Sequence, residues 1–260
     1  MSDKLLVSTE NGIKRITINR PERRNSVDHE TVQLLRDAVL RSAEDNTRVV
    51  ILTGTGEAFC AGADLAATSE RDIANYDVTK ALRENVNPTI MALRQLPVPI
   101  IARVHGPAVG VGCNYALACD LIIASEEARF GQVFVRVGLM PDGGSTFFLP
   151  RLVGYHKAFE LMATGNIINA QQAWELGMVN QVVPFAELDA KVESFAARLA
   201  ESPRAAIAKI KAGLNHGLSS DLAAALEFEA VNQDACFHSP DFIEGVTAFL
   251  EKRKAAFGKK

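Results

Sequence analysis

The chain of 260 residues carries 28 lysines and arginines against 31 aspartates and glutamates, a net charge of -3. That is an ordinary soluble surface with no global invitation to nucleic acid or to an acidic membrane, although a local basic cluster could still hold an anionic ligand. The length allows one α/β domain or two modest ones, with an ample core and no need of staples. The cysteines Cys60, Cys113, Cys119 and Cys236 lack metal-ligand spacing, and three lie in apolar runs where thiols act as small hydrophobes, which fits a reducing compartment. The opening MSDKLLVSTENG turns polar at once, without the apolar stretch of a signal peptide, and no apolar run reaches membrane-spanning length. A cytoplasmic location is expected.

Residues 4–10 and 13–19 alternate apolar and polar around Asn11-Gly12, which predicts a hairpin closed by Pro21. Asp28 then caps a predicted helix running to about Glu44, with Val32, Leu35, Val39 and Ala43 on its apolar face. Residues 48–53 (RVVILT) form a continuous apolar strand of the kind buried on both faces, so the start of the chain points to a layered α/β fold. A surface loop is predicted over 68–76, one long helix over 78–96, and a buried strand over 99–104. From 103 to 146 follow a glycine turn, an apolar helix, a buried strand and a second glycine-rich turn. Helices over 143–152, 155–164 and 169–176 and a last strand over 178–183 come next. Four helical patterns over 185–200, 203–215, 219–235 and 239–256 close the chain, broken at Ser202-Pro203, Gly217 and Ser239-Pro240.

The glycine stretches match neither GxGxxG nor GxxxxGK[ST], which argues against dinucleotide or Walker-type phosphate binding. They offer free backbone N–H groups instead. Gly110-Val111-Gly112 opens a helix, and a second donor from the small-residue turn Ala61, Gly62, Ala63 would complete an oxyanion hole for a thioester enolate. Close-packed structural turns are the competing reading. Asp64 is either a cap or a ligand contact. Asp142, in MPDGG, is either the N-cap of the next helix or a general base facing an apolar pocket of Phe134, Val137, Leu139, Phe147 and Phe148, where desolvation raises its pKa toward the working range. Arg23 and Arg24 suit phosphate contacts or a solvated turn, and Lys252 on the last helix poses the same choice. His105 reads as a core histidine. No Ser/His/Asp or Cys/His triad assembles.

The segments NRPERRNSVD (19–28), FCAGADL (59–65), HGPAVGVGCNYALACDLIIASEEARFG (105–131), GLMPDGGSTFFLPRLVG (138–154) and EGVTAFLEKRKAAF (244–257) together resemble the enoyl-CoA hydratase/isomerase (crotonase) superfamily, over essentially the whole chain. The resemblance implies a spiral of ββα units over residues 1–200 and a helical region over 201–260 that joins subunits into a homotrimer or a dimer of trimers. It implies an acyl-CoA thioester substrate and an enolate-like intermediate, with no metal or redox cofactor, coenzyme A being part of the substrate. Carried onto this chain, the oxyanion-hole amides are those of Ala63 and Val111. Coenzyme A is expected near Arg23, Arg24, Ala61, Gly62, Asp64 and Leu65, and at Phe249 and Lys252, often from the neighbouring subunit. Gly110, Asn114 and Phe134 complete the expected substrate-binding set.

The departures from that pattern bear on activity. Hydratases of this type carry two glutamates; their positions are Asn114 and Phe134 here, while an acid stands at 142, where glycine is common. That arrangement resembles Δ3,Δ2-enoyl-CoA isomerases and 1,2-epoxyphenylacetyl-CoA isomerase. The dehalogenases that put an aspartate here need an aromatic clamp that is not identifiable in this chain. A CoA-thioester isomerase is therefore expected, with a hydratase-like lyase and a catalytically silent acyl-CoA binder as rivals.

Overall fold

The computed structural model describes residues 3–65 and 76–258. The loop predicted over 68–76 lies outside them except for Tyr76. Strands β1 (Leu5–Glu10) and β2 (Ile13–Ile18) form the expected antiparallel hairpin, pairing Leu5 with Ile18 and Glu10 with Ile13. The remaining strands of the main sheet are β3 (Val49–Gly54), β4 (Ile100–Val104), β6 (Leu121–Ser125) and β9 (Gln181–Val183). They run parallel from β2 outward in the order β1-β2-β3-β4-β6-β9. A smaller sheet joins β5 (Pro107–Val109), β7 (Arg129–Gly131) and β8 (Ile167–Asn169). From β4 onward each pair of consecutive strands, β4/β5, β6/β7 and β8/β9, gives one strand to each sheet, a crotonase-like spiral. β5, β7 and β8 were not expected from the sequence. Three residues are too few to show a period of two.

The main sheet is covered on both faces, which is why its inner strands are apolar throughout. Along β3, Val50 and Leu52 join the larger core, while Val49 and Ile51 face a second one completed by Ile101 and Ile123. Helix α8 (Phe185–Ala200) closes that second face with Leu188, Val192 and Ala196, spaced four apart and fully buried. Burying one such leucine or valine contributes about 1.5–3 kcal/mol. Helix α1 (His29–Glu44) starts where expected, the Asp28 side chain accepting from Thr31 N. Its buried face uses Ser42 rather than Ala43; the serine hydroxyl donates to Ala38 O at 2.9 Å, so its burial leaves no unsatisfied group.

The long helix expected over 78–96 is broken. Helix α2 (Val78–Ala81) leads into a π-helical turn over Leu82–Val86, and α3 (Asn87–Gln95) resumes with Pro88 in its first turn. Proline has no N–H to offer the carbonyl four residues back. That carbonyl, Glu84 O, accepts Arg36 Nη1 at 3.0 Å instead, so α1 supplies the missing donor. Helix α4 (Val111–Ala118) is buried at every residue. Helices α5 (Ser145–Val153), α6 (Tyr155–Thr164) and α7 (Ala170–Glu175) follow, the last opened by an Asn169/Gln172 capping box. The strand expected from 178 begins only at Gln181; Met178 N is instead tied to Ala173 O at 2.8 Å, closing the end of α7.

The C-terminal region contains α9 (Arg204–Gly217), α10 (Leu222–Phe237) and α11 (Pro240–Leu250). The last helix stops short of the expected 256, and Lys252 takes a left-handed φ of 56°. Two residues of α9 bond the core: buried Lys211 donates to Asp120 Oδ2 at 2.7 Å and to Leu93 O at 3.0 Å, and Asn215 Nδ2 donates to Arg94 O at 2.8 Å. Helix α10 buries no residue, although it carries Leu222, Leu226, Val231 and Phe237. No described helix is long and apolar enough to cross a membrane.

Candidate active site

The site is built where the turn 61–63 meets the entrance to α4. Val109 N donates to Cys60 O at 3.1 Å and Cys60 N to Pro107 O at 3.0 Å, so the two segments run side by side. Gly62 has φ +97°, and a Cβ there would lie 2.9 Å from Val109 O. Gly110 takes φ 57° and ψ -133°, which only glycine holds without strain. A Cβ on Gly110 would meet Gly62 Cα at 3.8 Å. The backbones of the two turns are therefore in contact, and no side chain comes between them.

The fate of each amide in these turns is specific. Ala61 N donates to Arg24 O at 3.0 Å and Asp64 N to Val27 O at 2.9 Å, while Gly62 N–H points at the Cys60 thiol. Ala63 N–H, between them, has no acceptor among the described residues. Across the contact, Gly110 N is taken by Gly131 O at 2.9 Å. Val111 N–H, as the first amide of α4, has no intrahelical acceptor and no other partner among the described residues. Two unpaired N–H groups on adjoining turns, one at a helix N-terminus, make a site able to stabilise negative charge on an oxygen.

Asp142 stands beside this pair. Gly143 (φ +55°) packs its backbone on α4, where an added Cβ would lie 3.2 Å from Val111 Cγ2 and 3.3 Å from Asn114 Nδ2. Asp142 is not an N-cap. Gly144 occupies that position, and it is the Asp142 main-chain oxygen that is bonded, to Ser145 N at 3.1 Å, Ser145 Oγ at 3.0 Å and Asn114 Nδ2 at 2.8 Å. Its carboxylate has no hydrogen-bond partner among the described residues, and burial alone holds its pKa above the ordinary aspartate value. A fixed backbone with an unpaired, desolvated carboxylate suits a group that gains and loses a proton. The Tyr115 hydroxyl, fully buried and without a hydrogen-bond partner, lies within electrostatic range of it.

Several expected contacts fall elsewhere. Asn114 is 0% exposed, with its oxygen accepting from Gln132 Nε2 at 2.8 Å, so it supports the site from behind and is not free to touch substrate. The Asp64 side chain is buried against Arg20 Nη2 at 2.8 Å, and Arg20 also reaches Asp28 at 3.4 Å. Phe134 packs at the turn, its Cζ 3.9 Å from a Cβ built on Gly110, and Phe148 lies under Gly144. Val137 and Leu139 are exposed and enclose nothing in the single chain. Arg23 and Arg24 are exposed without acidic partners among the described residues, joined to the 61–63 turn through Arg24 O. Leu65 is exposed.

Phe249, 81% exposed, and Lys252 sit in the C-terminal region; Phe249 lines an apolar groove of about 1300 Å³ between α9, α10 and α11. Every residue lining that groove lies between 203 and 257, so it is separate from the Asp142 site. His105 is a core histidine, accepting at Nδ1 from Arg103 Nη1 and donating from Nε2 to Gly56 O, each at 3.0 Å. Gln132 and Ser145 are the supporting residues that sequence reasoning missed. Ser145, three residues after Asp142, carried a signal in its spacing; Gln132 carried none.

The sequence profile of the enoyl-CoA hydratase/isomerase family matches residues 8–260. The chain belongs to the enoyl-CoA hydratase/isomerase family. Among its relatives in the family, a probable enoyl-CoA hydratase of Rhodobacter capsulatus is 39% identical over 246 residues, covering 95% of this chain and 94% of that one. The 1,2-epoxyphenylacetyl-CoA isomerase of Escherichia coli is 36% identical over 265 residues, covering 100% of both. The crystal structure of an enoyl-CoA hydratase from Bacillus anthracis superposes with a TM-score of 0.94 at 35% identity, covering 99% of this chain and 100% of that one. The family assignment gives the chain the crotonase fold and an enzymatic activity on acyl-CoA thioesters.

Proposed function

We propose that this enzyme is a CoA-thioester isomerase that moves a double bond by a 1,3-proton shift, as in Δ3 to Δ2 enoyl-CoA isomerisation, or isomerises a ring-epoxide phenylacetyl-CoA. The observation that carries the reading is Asp142, an unpaired carboxylate raised in pKa by burial and set on the turn that packs against Val111. Asp142 removes a proton from C2 of the acyl group. The electron pair moves onto the thioester oxygen, held by Ala63 N–H and Val111 N–H, and the same carboxyl returns the proton at C4. Each such amide donor contributes about 10²- to 10³-fold in rate.

The unpaired Arg23 and Arg24 fit the coenzyme A phosphates, and Phe249 and Lys252 fit its other contacts. The apolar groove and the unburied α10 fit a homotrimer or a dimer of trimers, in which a neighbouring subunit covers them. No further cofactor is proposed, and a cytoplasmic location fits the buried free thiols of Cys60, Cys113 and Cys119.

A second reading, hydratase-like water addition, is favoured by the hydratase names of several relatives. A panel of 3-enoyl-, 2-enoyl- and ring-epoxide CoA esters with product identification separates the two. Asp142→Asn is expected to abolish isomerisation while acyl-CoA binding survives; undiminished turnover in that variant would refute the assignment.

A further inference from the structure

The three donors on the Asp142 carbonyl have different origins. Ser145 supplies two of them from within the turn, which fixes the turn's shape. Asn114 Nδ2, at 2.8 Å, is the one that comes from α4, which fixes where the turn stands relative to the Val111 amide. Asn114 is oriented in its own right by Gln132, whose Nε2 donates to Asn114 Oδ1 at 2.8 Å. The direction of this relay is dictated. A backbone carbonyl only accepts, so Asn114 must turn its NH2 to Asp142 and its oxygen to Gln132, and Gln132 must answer with its own NH2. Asn114 and Gln132 are 0% and 2% exposed, which keeps water from substituting for either bond.

Gln132 Oε1 has no hydrogen-bond partner among the described residues. Its donor, on Asn114 Oδ1, is the part of the glutamine that the structure uses. We propose that Gln132 and Asn114 are positioning residues, a one-way relay that sets the Asp142 carboxyl against the oxyanion-hole amides. This inference rests on Asp142 as the proton-transfer group.

Gln132→Leu removes the donor without adding charge, and Gln132→Met provides the same test should the leucine variant fold poorly. The expected result is a kcat lower by about 10- to 100-fold, the scale of a small misplacement of a reacting group. KM for the same ester stays within about threefold, and the acid limb of the kcat profile moves, because the surroundings of Asp142 have changed. Gln132→Glu, which cannot donate when ionised, is expected to lower kcat at least as far. Wild-type kcat and an unmoved acid limb in folded Gln132→Leu would overturn the inference, as would a loss of activity that merely tracks the folded fraction. Asp142→Asn in parallel separates the two levels. Turnover retained there removes the premise, whereas an inactive Asp142→Asn beside a wild-type Gln132→Leu removes only the relay.

Discussion

Gly110→Ala tests the site at its narrowest point. A methyl group there has room, with its nearest neighbours, Gly62 Cα and Phe134 Cζ, at 3.8 and 3.9 Å, which is ordinary contact. The substitution therefore acts through the backbone alone. At φ 57° and ψ -133° an L-residue sits outside every region that alanine occupies freely, a strain of about 1–3 kcal/mol. If the strain is kept, it is lost from stability and reads as a lower midpoint in urea with an unchanged slope. If it is relieved, the torsion that relaxes is ψ of residue 110, which turns the peptide carrying Val111 N–H. Loss of that donor lowers kcat by about 10²- to 10³-fold. The two outcomes exchange, so stability and turnover of one preparation must be read together, using the double-bond reaction that the substrate panel identifies. Binding of a saturated acyl-CoA serves as the control. An alanine variant with wild-type stability and turnover within about threefold of wild type would refute the oxyanion role of this turn.

Three other expectations concern charge. Because burial raises the folded-state pKa of Asp142, the native state binds the extra proton in the window between the ordinary aspartate value and the raised one, and stability falls as pH rises through that window. Asp142→Asn should remove this slope and be more stable than wild type at pH 7, with the difference vanishing below the ordinary aspartate pKa in urea titrations; a destabilised variant at pH 7 would count against it. Asn114→Glu should not create a hydratase: it takes the donor from the Asp142 carbonyl and puts a second acid beside it, so isomerisation should fall at least tenfold with no hydration of crotonyl-CoA gained. Lys211→Met leaves the Asp120 carboxylate facing the core without its cation and should cost about 3–5 kcal/mol in urea unfolding, with Lys211→Met/Asp120→Asn costing less than the sum of the single changes.

Local signals in the sequence were strong where neighbouring residues determine the outcome. Asn11-Gly12 fixed a hairpin, and Asp28 marked a helix start that its side chain does cap. The features missed depend on partners distant in sequence. Nothing near Asp64 foretells Arg20, whose guanidinium closes on it from 44 positions away. One unbroken helix was expected over 78–96; at the π-helical turn that interrupts it, Arg36 of another helix fills the Glu84 carbonyl. The turns 61–63 and 110–112 were visible as glycine and small-residue runs. That the Ala63 and Val111 amides are left without acceptors among the described residues, while their neighbours Ala61, Gly62, Asp64 and Gly110 are bonded, follows from the bonds made by Arg24, Val27, Cys60 and Gly131, which a linear reading does not supply. Asn114 shows the same limit from the other side. It was conspicuous as an amide in an apolar helix, yet its burial against Gln132 turns a substrate contact into a support.

The division of labour in this site explains how relatives with different names share the fold. The proposed oxyanion hole is made of main-chain amides positioned by glycines, so it places little demand on side-chain identity. A probable enoyl-CoA hydratase and an isomerase can then stand at nearly equal identity to this chain, 39% and 36%, because overall identity chiefly measures the scaffold. In the proposed mechanism reaction type depends on which acids face the enolate, and the resemblance puts that choice at positions 114, 134 and 142. Here the first holds an amide bonded at both ends, the second a ring packed on the Gly110 turn, and the third the unpaired carboxylate. One acid beside an oxyanion hole can pass a proton from one carbon to another. Adding water across a double bond by the two-glutamate route needs a second acid, and Asn114 and Phe134 occupy both places where that route would hold its glutamates.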